Sequence, residues 1–190
     1  MARIKDPQRR ALIMENALSL FAKRGFHAVS VKDLAEHCGI SLGSLYTYFE
    51  SKEQLGNELF RHWKMVFAEA ASVGTETARG REAHRRMWTN IGEFIAANPQ
   101  AFSFLESQLH ATYLDAESSA LEMALTQSAV QYYVDRLELG LCKEKAQLII
   151  SATFGVYIQV LKAAQAGLLS LDLDARTNLE KLSWAMASQP

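Results

Sequence analysis

Apolar residues near the start of the chain recur with the spacing of a helix and stop at a glycine. The apolar positions, three or four residues apart, are Ile13, Ala17, Leu20 and Phe21. Asp6 followed by Pro7 favours a helix start, because aspartate caps free N–H groups and proline needs no hydrogen bond at the first position. Gly25 favours a helix end, so the pattern predicts one helix between Pro7 and Gly25.

The segment VKDLAEHCGISLGSLYTYF, residues 31–49, has the pattern of two short helices around a turn. Ala35 is small enough for a close helix crossing, and Gly39 supplies the positive φ that the turn requires. Ser30 has an acidic residue three positions later, as in a capping box, and Ser41 stands where a second helix would begin. The apolar residues expected to clamp the pair to the first helix are Val31, Leu34, Ile40, Leu45 and Phe49. The spacing predicts a helix-turn-helix, the layout of proteins that read DNA.

Helical spacing continues to the end of the chain, interrupted by glycine, proline and short polar segments. Ser51, three residues before a glutamine, predicts the cap of a long helix that reaches about Val73, and the small and polar segment 74–80 predicts a linker. Asn98 precedes Pro99, which disfavours helical backbone in the residue before it. No alternating strand pattern of useful length occurs. Further helices are predicted at 81–97, 100–113, 116–139, 143–166 and 172–187.

The pattern as a whole predicts an all-α protein with two domains. Residues 1–55 are expected to form a three-helix DNA-binding domain that contains the helix-turn-helix. Residues 56–190 are expected to form a C-terminal helical domain, reached through the long connecting helix after Ser51.

The predicted helix at 146–166 is apolar on most of its faces, so it must be covered on most sides. It could be the central helix of one chain. Alternatively, this helix and the last one could pack against their copies in a four-helix dimer seam. The residues predicted for that seam are Val156, Val160, Ala163, Leu179, Leu182 and Met186.

Composition places the chain among globular proteins. The 190 residues are 49% hydrophobic and include 3 Pro and 10 Gly, which argues against disorder. The N-terminus lacks the basic and apolar regions of a signal peptide, and no uninterrupted run of about 18 apolar residues occurs. The sequence therefore predicts a cytoplasmic protein without membrane association.

Charge is distributed unevenly along the chain. Residues 1–65 contain ten Lys and Arg against seven Asp and Glu, whereas residues 66–190 contain ten against fourteen. The end with the helix-turn-helix pattern is therefore the basic one. An excess of three positive charges is equally compatible with an ordinary solvated surface.

The residue types that support catalysis or metal binding are present without the required spacing. Cys38 and Cys142 form no CxxC pair, so we expect both to be small buried residues. Glu106 and His110 lie four apart, but no further carboxylates and histidines have the spacing of a metal site. The HExxH and GxxxxGK[ST] motifs do not occur. The sequence predicts no metal, no cofactor and no enzyme.

Four segments match a known family in order and spacing: FAKRGF at 21–26, SVKDL at 30–34, GIS at 39–41 and GSLYTYFESK at 43–52. With them, residues 8–58 resemble the DNA-binding domain of the TetR family of bacterial transcriptional regulators. The resemblance implies a homodimer, usually a repressor, that binds a palindromic operator in double-stranded DNA. It also implies a C-terminal domain that binds a small molecule and releases the DNA. A regulator without a small-molecule ligand, constitutive or controlled by a protein partner, is the alternative.

The resemblance also implies roles for individual residues. In a recognition helix that begins after Ser41, base edges would be met by Leu42, Gly43, Ser44 and Thr47. Tyr46 and Tyr48 would reach phosphates or thymine methyl groups, while Ser30 and Lys52 would fix the register on the DNA backbone. Tyr46 could instead be a partly buried core aromatic, and Lys52 a solvated charge in a first helical turn. Many relatives have lysine at the position of Leu42, so the preferred DNA sequence is expected to differ.

Aromatic residues are frequent in the predicted C-terminal helices. We predict that a pocket for a small, largely apolar or aromatic effector is lined by Trp88, Phe104, Tyr113, Tyr133, Phe154 and Tyr157. Aromatic residues at helical spacing are also typical of an ordinary core, and the sequence leaves both interpretations open.

Overall fold

The computed structural model describes residues 6–108 and 111–189, and this part of the chain is built from α-helices without strands. The all-α prediction is confirmed. The helices of the described residues are α1 (Pro7–Arg24), α2 (Val31–His37), α3 (Leu42–Tyr48), α4 (Lys52–Ser72), α5 (Gly80–Ala97), α6 (Pro99–Ser107), α7 (Ala116–Arg136), α8 (Lys143–Gln165) and α9 (Leu173–Ala187).

The predicted caps form at the N-terminal ends of the first three helices. Asp6 accepts a hydrogen bond from the backbone N–H of Gln8 at the start of α1. Ser30 forms the complete capping box at the start of α2, and Ser41 caps α3. Gly39 has a φ of 63°, which allows the chain to turn sharply between α2 and α3. The helix-turn-helix is therefore specified by contacts within a few residues.

The residues divide into two compact units. The first comprises the described residues of Met1–Met65 together with Asn98–Leu121, and the second comprises Val66–Ala97 and the described part of Glu122–Pro190. Helices α4 and α7 each contain residues of both units.

The core of the first unit is formed by apolar side chains of α1–α4 and α6. Phe21 of α1 stacks on Phe104 of α6, with ring centroids 6.0 Å apart. Phe26, in the α1–α2 connection, stacks at 3.7 Å on Tyr113, which follows α6. The segment after α6 thus packs with the helix-turn-helix, although many residues separate them in sequence.

The core of the second unit joins α5, α7, α8 and α9. Its best-buried aromatic residues, at 1% exposure or less, are Trp88, Tyr133 and Tyr157. A neighbouring cluster of buried residues consists of Ala78, Ala83, Val130, Tyr133, Leu137, Leu141, Ala146, Ile149, Ile150 and Ala187.

The structure corrects the prediction of one helix over 100–113. Helix α6 ends at Ser107, and Tyr113 lies outside any helix. The amide of Asn57 accounts for this geometry: it donates to the carbonyl of Tyr113 at 3.1 Å and accepts from the N–H of Asp115 at 2.9 Å. A side chain of α4 therefore takes the backbone groups that a longer helix would pair internally.

The two cysteines and the pair of Glu106 with His110 can be compared with their predictions. Cys142 is exposed at the start of α8, so the prediction that it is buried is wrong. Cys38 is half-buried. The predicted pair of Glu106 with His110 cannot be placed, because His110 lies outside the described residues.

Among the described residues, α8 is the one helix that is long and apolar enough to span a membrane by length and composition. The mean hydropathy of its most apolar window is 1.3, and 33% of that window is buried. Core helices of soluble proteins meet the same criterion, so this is weak evidence for a membrane.

Candidate functional site

Helix α3 has one buried face and one exposed face. Leu45 and the capping residue Phe49 are each 2% exposed and anchor the helix to the core of the first unit. Leu42 and Tyr46 are 45% and 49% exposed. Tyr46 is therefore not among the buried core residues, and its DNA contact stays a prediction. An apolar anchor on one side and free side chains on the other is the arrangement of a helix that enters a DNA groove.

The exposed face of α3 carries no charged side chain. Gly43 opens onto free space, since a Cβ added there would meet no atom within 4 Å. The hydroxyl of Thr47 donates to the carbonyl of Gly43 at 3.0 Å, which leaves its lone pairs and its methyl group for an incoming base. Ser44 and Tyr48 are half-buried. The face could therefore read hydrogen-bond donors and methyl groups, while binding energy from charge must come from elsewhere.

The backbone at the start of both helices is held by serine side chains. Ser41 accepts from the N–H of Ser44 at 3.1 Å. Ser30 accepts from the N–H of Asp33 at 3.1 Å, and the Asp33 carboxylate accepts from the N–H of Ser30 at 2.8 Å. Hydrogen bonds from Ser30 lower the pKa of Asp33, so the carboxylate of Asp33 is charged at neutral pH. The hydroxyl of Ser30 is already engaged with Asp33 and would need to turn to bind a phosphate.

Lys52 has a structural role that the sequence did not reveal. Its Nζ donates to the carbonyls of Phe26 at 3.1 Å and Val29 at 3.0 Å, and it lies 4.5 Å from the centre of the Phe26 ring. It therefore fastens the start of α4 to the α1–α2 connection. An ammonium group has three N–H donors, so one remains for a phosphate.

Other cations of the first unit are more exposed than Lys52. The side chain of Lys32, in the first turn of α2, is 80% exposed and that of Arg24 is 59% exposed. Their ion pairs with Glu36 and Asp33 are long, at 3.8 Å and 4.0 Å. Sequence reasoning did not single out these residues, although Lys32 lies within the SVKDL segment. Both are candidates for phosphate contacts.

The six residues predicted for the effector pocket fall into both units. Phe104 and Tyr113 belong to the first, where they pack on Phe21 and Phe26. In the second unit, the rings of Trp88 and Tyr157 stack with centroids 5.1 Å apart, and Phe154 lies 5.4 Å from Trp88. Tyr133 joins them by accepting a hydrogen bond of 2.8 Å from Trp88 Nε1. Four of the six residues are thus brought together. Among the described residues, no group of histidines, cysteines and carboxylates could hold a metal ion.

A buried polar network lies beside these rings. His84 is fully buried, with Nδ1 3.0 Å from Glu180 Oε1 and Nε2 3.0 Å from Ser183 Oγ. Burial lowers the pKa of His84 to about 4, so the ring is neutral at physiological pH. Burial alone would raise the pKa of Glu180, but hydrogen bonds from Arg81 and His84 outweigh it and lower the pKa. The charge of Glu180 is therefore balanced by Arg81.

The residues predicted for the dimer seam lie on α8 and α9 with graded exposure. Leu182 is 59% exposed, Val156 41% and Met186 40%, whereas Leu179 is 6% exposed. These four residues line a mainly apolar surface cleft of about 350 Å³ between the two helices. Val160 and Ala163 are half-buried on α8. Large apolar side chains concentrated on one exposed face are typical of an interaction surface.

The capped helix-turn-helix with a free face on its second helix defines the class of helix-turn-helix DNA-binding proteins. Residues 13–59 match the family described as "Bacterial regulatory proteins, tetR family", and residues 64–188 match "Tetracyclin repressor-like, C-terminal domain". The chain therefore belongs to the TetR family, and the resemblance noted in the sequence is confirmed.

Similar proteins are transcriptional regulators rather than enzymes. The uncharacterized HTH-type transcriptional regulator YuxN of Bacillus subtilis is 30% identical over 141 residues, which cover 74% of this chain and 48% of that protein. The HTH-type transcriptional repressor KstR2 of Rhodococcus jostii is 45% identical over 102 residues, 53% of this chain and 50% of the relative. The chain thus spans about half the length of these curated relatives.

A solved structure shows the same fold over nearly the whole chain. It is a TetR family transcription regulator from Marinobacter aquaeolei, with a TM-score of 0.75, 22% identity and 94% of each chain covered. The similarity at this level of identity concerns the fold alone.

Proposed function

We propose that this protein is a homodimeric repressor that binds a palindromic operator and is released by a small, largely apolar or aromatic effector. It would act in the cytoplasm, where the DNA lies. The family assignment and the repressor among the relatives support this function. The single observation that carries it is the exposed face of α3, on which Leu42 and Tyr46 stand free while Leu45 is buried.

The proposed DNA interface has two parts. Leu42, Gly43, Ser44 and Thr47 would meet base edges in the major groove, with Tyr46 and Tyr48 at thymine methyl groups or phosphates. Ser30, Ser41 and Lys52 would hold the backbone around the recognition helix. Two copies would read half-sites about 34 Å apart, or a longer spacing set by the dimer.

Because α3 is uncharged, affinity should come mainly from phosphate contacts made by the surrounding cations. If the dimer neutralises about six to ten phosphates, binding should weaken by about three to five orders of magnitude between about 50 and 200 mM salt. The salt dependence therefore measures the backbone contacts separately from the base contacts.

The function can be tested by selecting bound duplexes from a random double-stranded library and measuring affinity for the selected sequence by fluorescence anisotropy. Leu42→Ala should weaken that affinity by about tenfold, the usual penalty of one lost base contact. Leu12→Ala is the matched control, since Leu12 is a leucine of similar exposure, 51%, on α1. Failure to select any duplex at low salt would refute the proposal, and equal losses in both variants would remove α3 from the interface.

Release by an effector requires that the ligand bind one conformation more tightly than another. The four aromatic residues gathered in the second unit support a ligand site there, because pockets in helical domains are lined mainly by apolar and aromatic groups. Phe104 and Tyr113 lie in the first unit. Their contribution to release of the DNA would come through their packing on α1 and on the α1–α2 connection.

A further inference from the structure

The hydroxyl of Tyr157 is the unusual group in the aromatic cluster of the second unit. It is completely buried, yet no hydrogen-bond partner for it exists among the described residues. The polar groups of the neighbouring rings are hydrogen-bonded, since Trp88 Nε1 donates to the hydroxyl of Tyr133. A buried hydroxyl without a partner is unfavourable, so a group that accepts its hydrogen would bind there with a net gain.

The protonation state of Tyr157 determines what it can bind. Burial raises the pKa of this phenol to about 12, so it keeps its hydrogen at neutral pH and acts as a donor. A ligand group that meets it must therefore supply an acceptor oxygen.

The side chain of Arg176 approaches this hydroxyl. A Cβ placed on Gly92 would be 3.4 Å from the oxygen of Tyr157 and 3.2 Å from Cδ of Arg176, so both side chains approach the same point above α5. Arg176 donates to the backbone carbonyls of Gly92 at 3.4 Å and Asp172 at 3.3 Å. A guanidinium has five N–H donors, so three remain for a ligand.

Arg176 also differs from Arg81, an arginine of the same unit. Arg81 forms a bidentate pair with the buried carboxylate of Glu180, whereas Arg176 has no ion pair within the described part of the chain. Since Glu180 is paired with Arg81, the guanidinium of Arg176 is available to a ligand. The hydroxyl of Tyr157 and the guanidinium of Arg176 are one neutral and one charged donor group, and together they match the two oxygens of a carboxylate.

The surroundings of these donors are apolar and aromatic. Tyr157 stacks on Trp88, which in turn contacts Phe154, and Phe154 lies 6.0 Å from Phe67. A ligand with an acidic head at Gly92 would therefore place its remaining atoms among rings.

We propose that Tyr157 and Arg176 form the head-group site for the carboxylate of an amphipathic organic acid whose apolar body packs among Trp88, Phe154 and Phe67. This inference rests on the proposed function and specifies its effector as an acid. Because Tyr157 is fully buried in the described conformation, the acid must select a conformation in which this region opens. An acid that binds the open conformation more tightly than the closed one meets the requirement for release of the DNA.

The test compares decanoate, below its micelle concentration, with decanol, which has the same chain length and no charge. Isothermal titration calorimetry of the full-length protein should show that decanoate binds at least about tenfold more tightly than decanol. Tyr157→Phe and Arg176→Gln should each weaken decanoate about ten- to a hundredfold and change decanol by less than about threefold. Lys181→Gln, on the exposed side of α9, is the charge-matched control and should leave both affinities unchanged.

A substitution that fills the space between Tyr157 and Arg176 gives independent evidence for the acid site. Gly92→Ala places a methyl group where the two side chains meet and should reduce decanoate binding, while circular dichroism confirms that the helices are intact. Equal affinities of wild type for decanoate and decanol, no measurable decanoate binding, or unaltered decanoate affinity in Tyr157→Phe would each overturn the acid site.

The same samples, titrated with the selected duplex, separate this inference from the proposed function. If wild type binds no duplex but distinguishes decanoate from decanol as expected, the acid site stands and the DNA function fails. If decanoate binds at this site without weakening duplex binding, the acid is not the effector, which overturns the regulatory part of the inference.

Discussion

At the scale of single residues, two tyrosines of one core make opposite predictions. The hydroxyl of Tyr133 accepts from Trp88, whereas that of Tyr157 has no hydrogen-bond partner among the described residues. Tyr133→Phe should lower the free energy of unfolding by about 1–3 kcal/mol, because it leaves the indole N–H of Trp88 buried without an acceptor.

Tyr157→Phe should leave the free energy of unfolding unchanged or raise it, because it removes a hydroxyl that lacks a partner in the described part of the chain. Urea denaturation of both variants without ligand measures the difference. Destabilisation of Tyr157→Phe equal to that of Tyr133→Phe would show that the Tyr157 hydroxyl has a partner after all.

Lys52 combines a structural contact with a proposed DNA contact. Lys52→Ala should lower the free energy of unfolding by about 1–2 kcal/mol, since two carbonyls lose a charged donor at a half-buried position. It should also weaken binding to all duplexes alike and reduce the steepness of the salt dependence.

Lys32→Ala provides the comparison, because Lys32 is exposed and donates to no carbonyl of the described residues. Its free energy of unfolding should change by less than about 0.5 kcal/mol. A loss of affinity in Lys52→Ala that is confined to certain base sequences would contradict a phosphate contact.

At the scale of elements, glycine has two different functions in two helices. Gly56 of α4 is in close contact with the stacked rings of Phe26 and Tyr113: an added Cβ would lie 2.7 Å and 2.9 Å from their nearest carbons. Gly43 of α3 borders open space. Gly56 therefore allows close packing, whereas Gly43 leaves room outside the protein.

The two alanine substitutions should have opposite effects on stability. Gly56→Ala should lower the free energy of unfolding by about 1–3 kcal/mol through overpacking. Gly43→Ala should raise it by up to about 1 kcal/mol through helix propensity, and should nevertheless weaken duplex binding if α3 approaches the bases closely. Thermal unfolding and anisotropy measure these quantities. Unimpaired duplex binding by Gly43→Ala would place the groove contact elsewhere.

At the scale of the whole molecule, the proposed dimer depends on the exposed apolar face of α8 and α9. Leu182→Glu should shift the protein from dimer to monomer in sedimentation velocity, because a buried unpaired carboxylate is strongly unfavourable in an apolar seam. Duplex affinity should fall with it, since one copy reads only one half-site.

Met123→Glu on α7 is the matched control, as Met123 is also a large exposed apolar residue, at 63%. It should leave both the dimer and duplex binding unchanged. A wild-type protein that sediments as a monomer, or a Leu182→Glu variant that remains a dimer, would contradict the proposed seam.

The sequence by itself determined the local structure and the family. The caps at Asp6, Ser30 and Ser41 and the turn at Gly39 involve groups within about four residues of one another, so spacing is sufficient to predict them. The burial of Leu45 beside the exposure of Leu42 follows from helical periodicity in the same way. The family match depends on these same short segments.

The tertiary structure decided which distant residues meet. Spacing along the chain does not encode that Lys52 would bind the carbonyls of Phe26 and Val29, or that Asn57 would end the helical course before Tyr113. It likewise does not reveal that one buried tyrosine hydroxyl lacks a partner within residues 6–108 and 111–189, or that the predicted pocket residues divide between two units. These features depend on packing between elements far apart in sequence, and a periodic pattern indicates which face is buried without indicating what covers it.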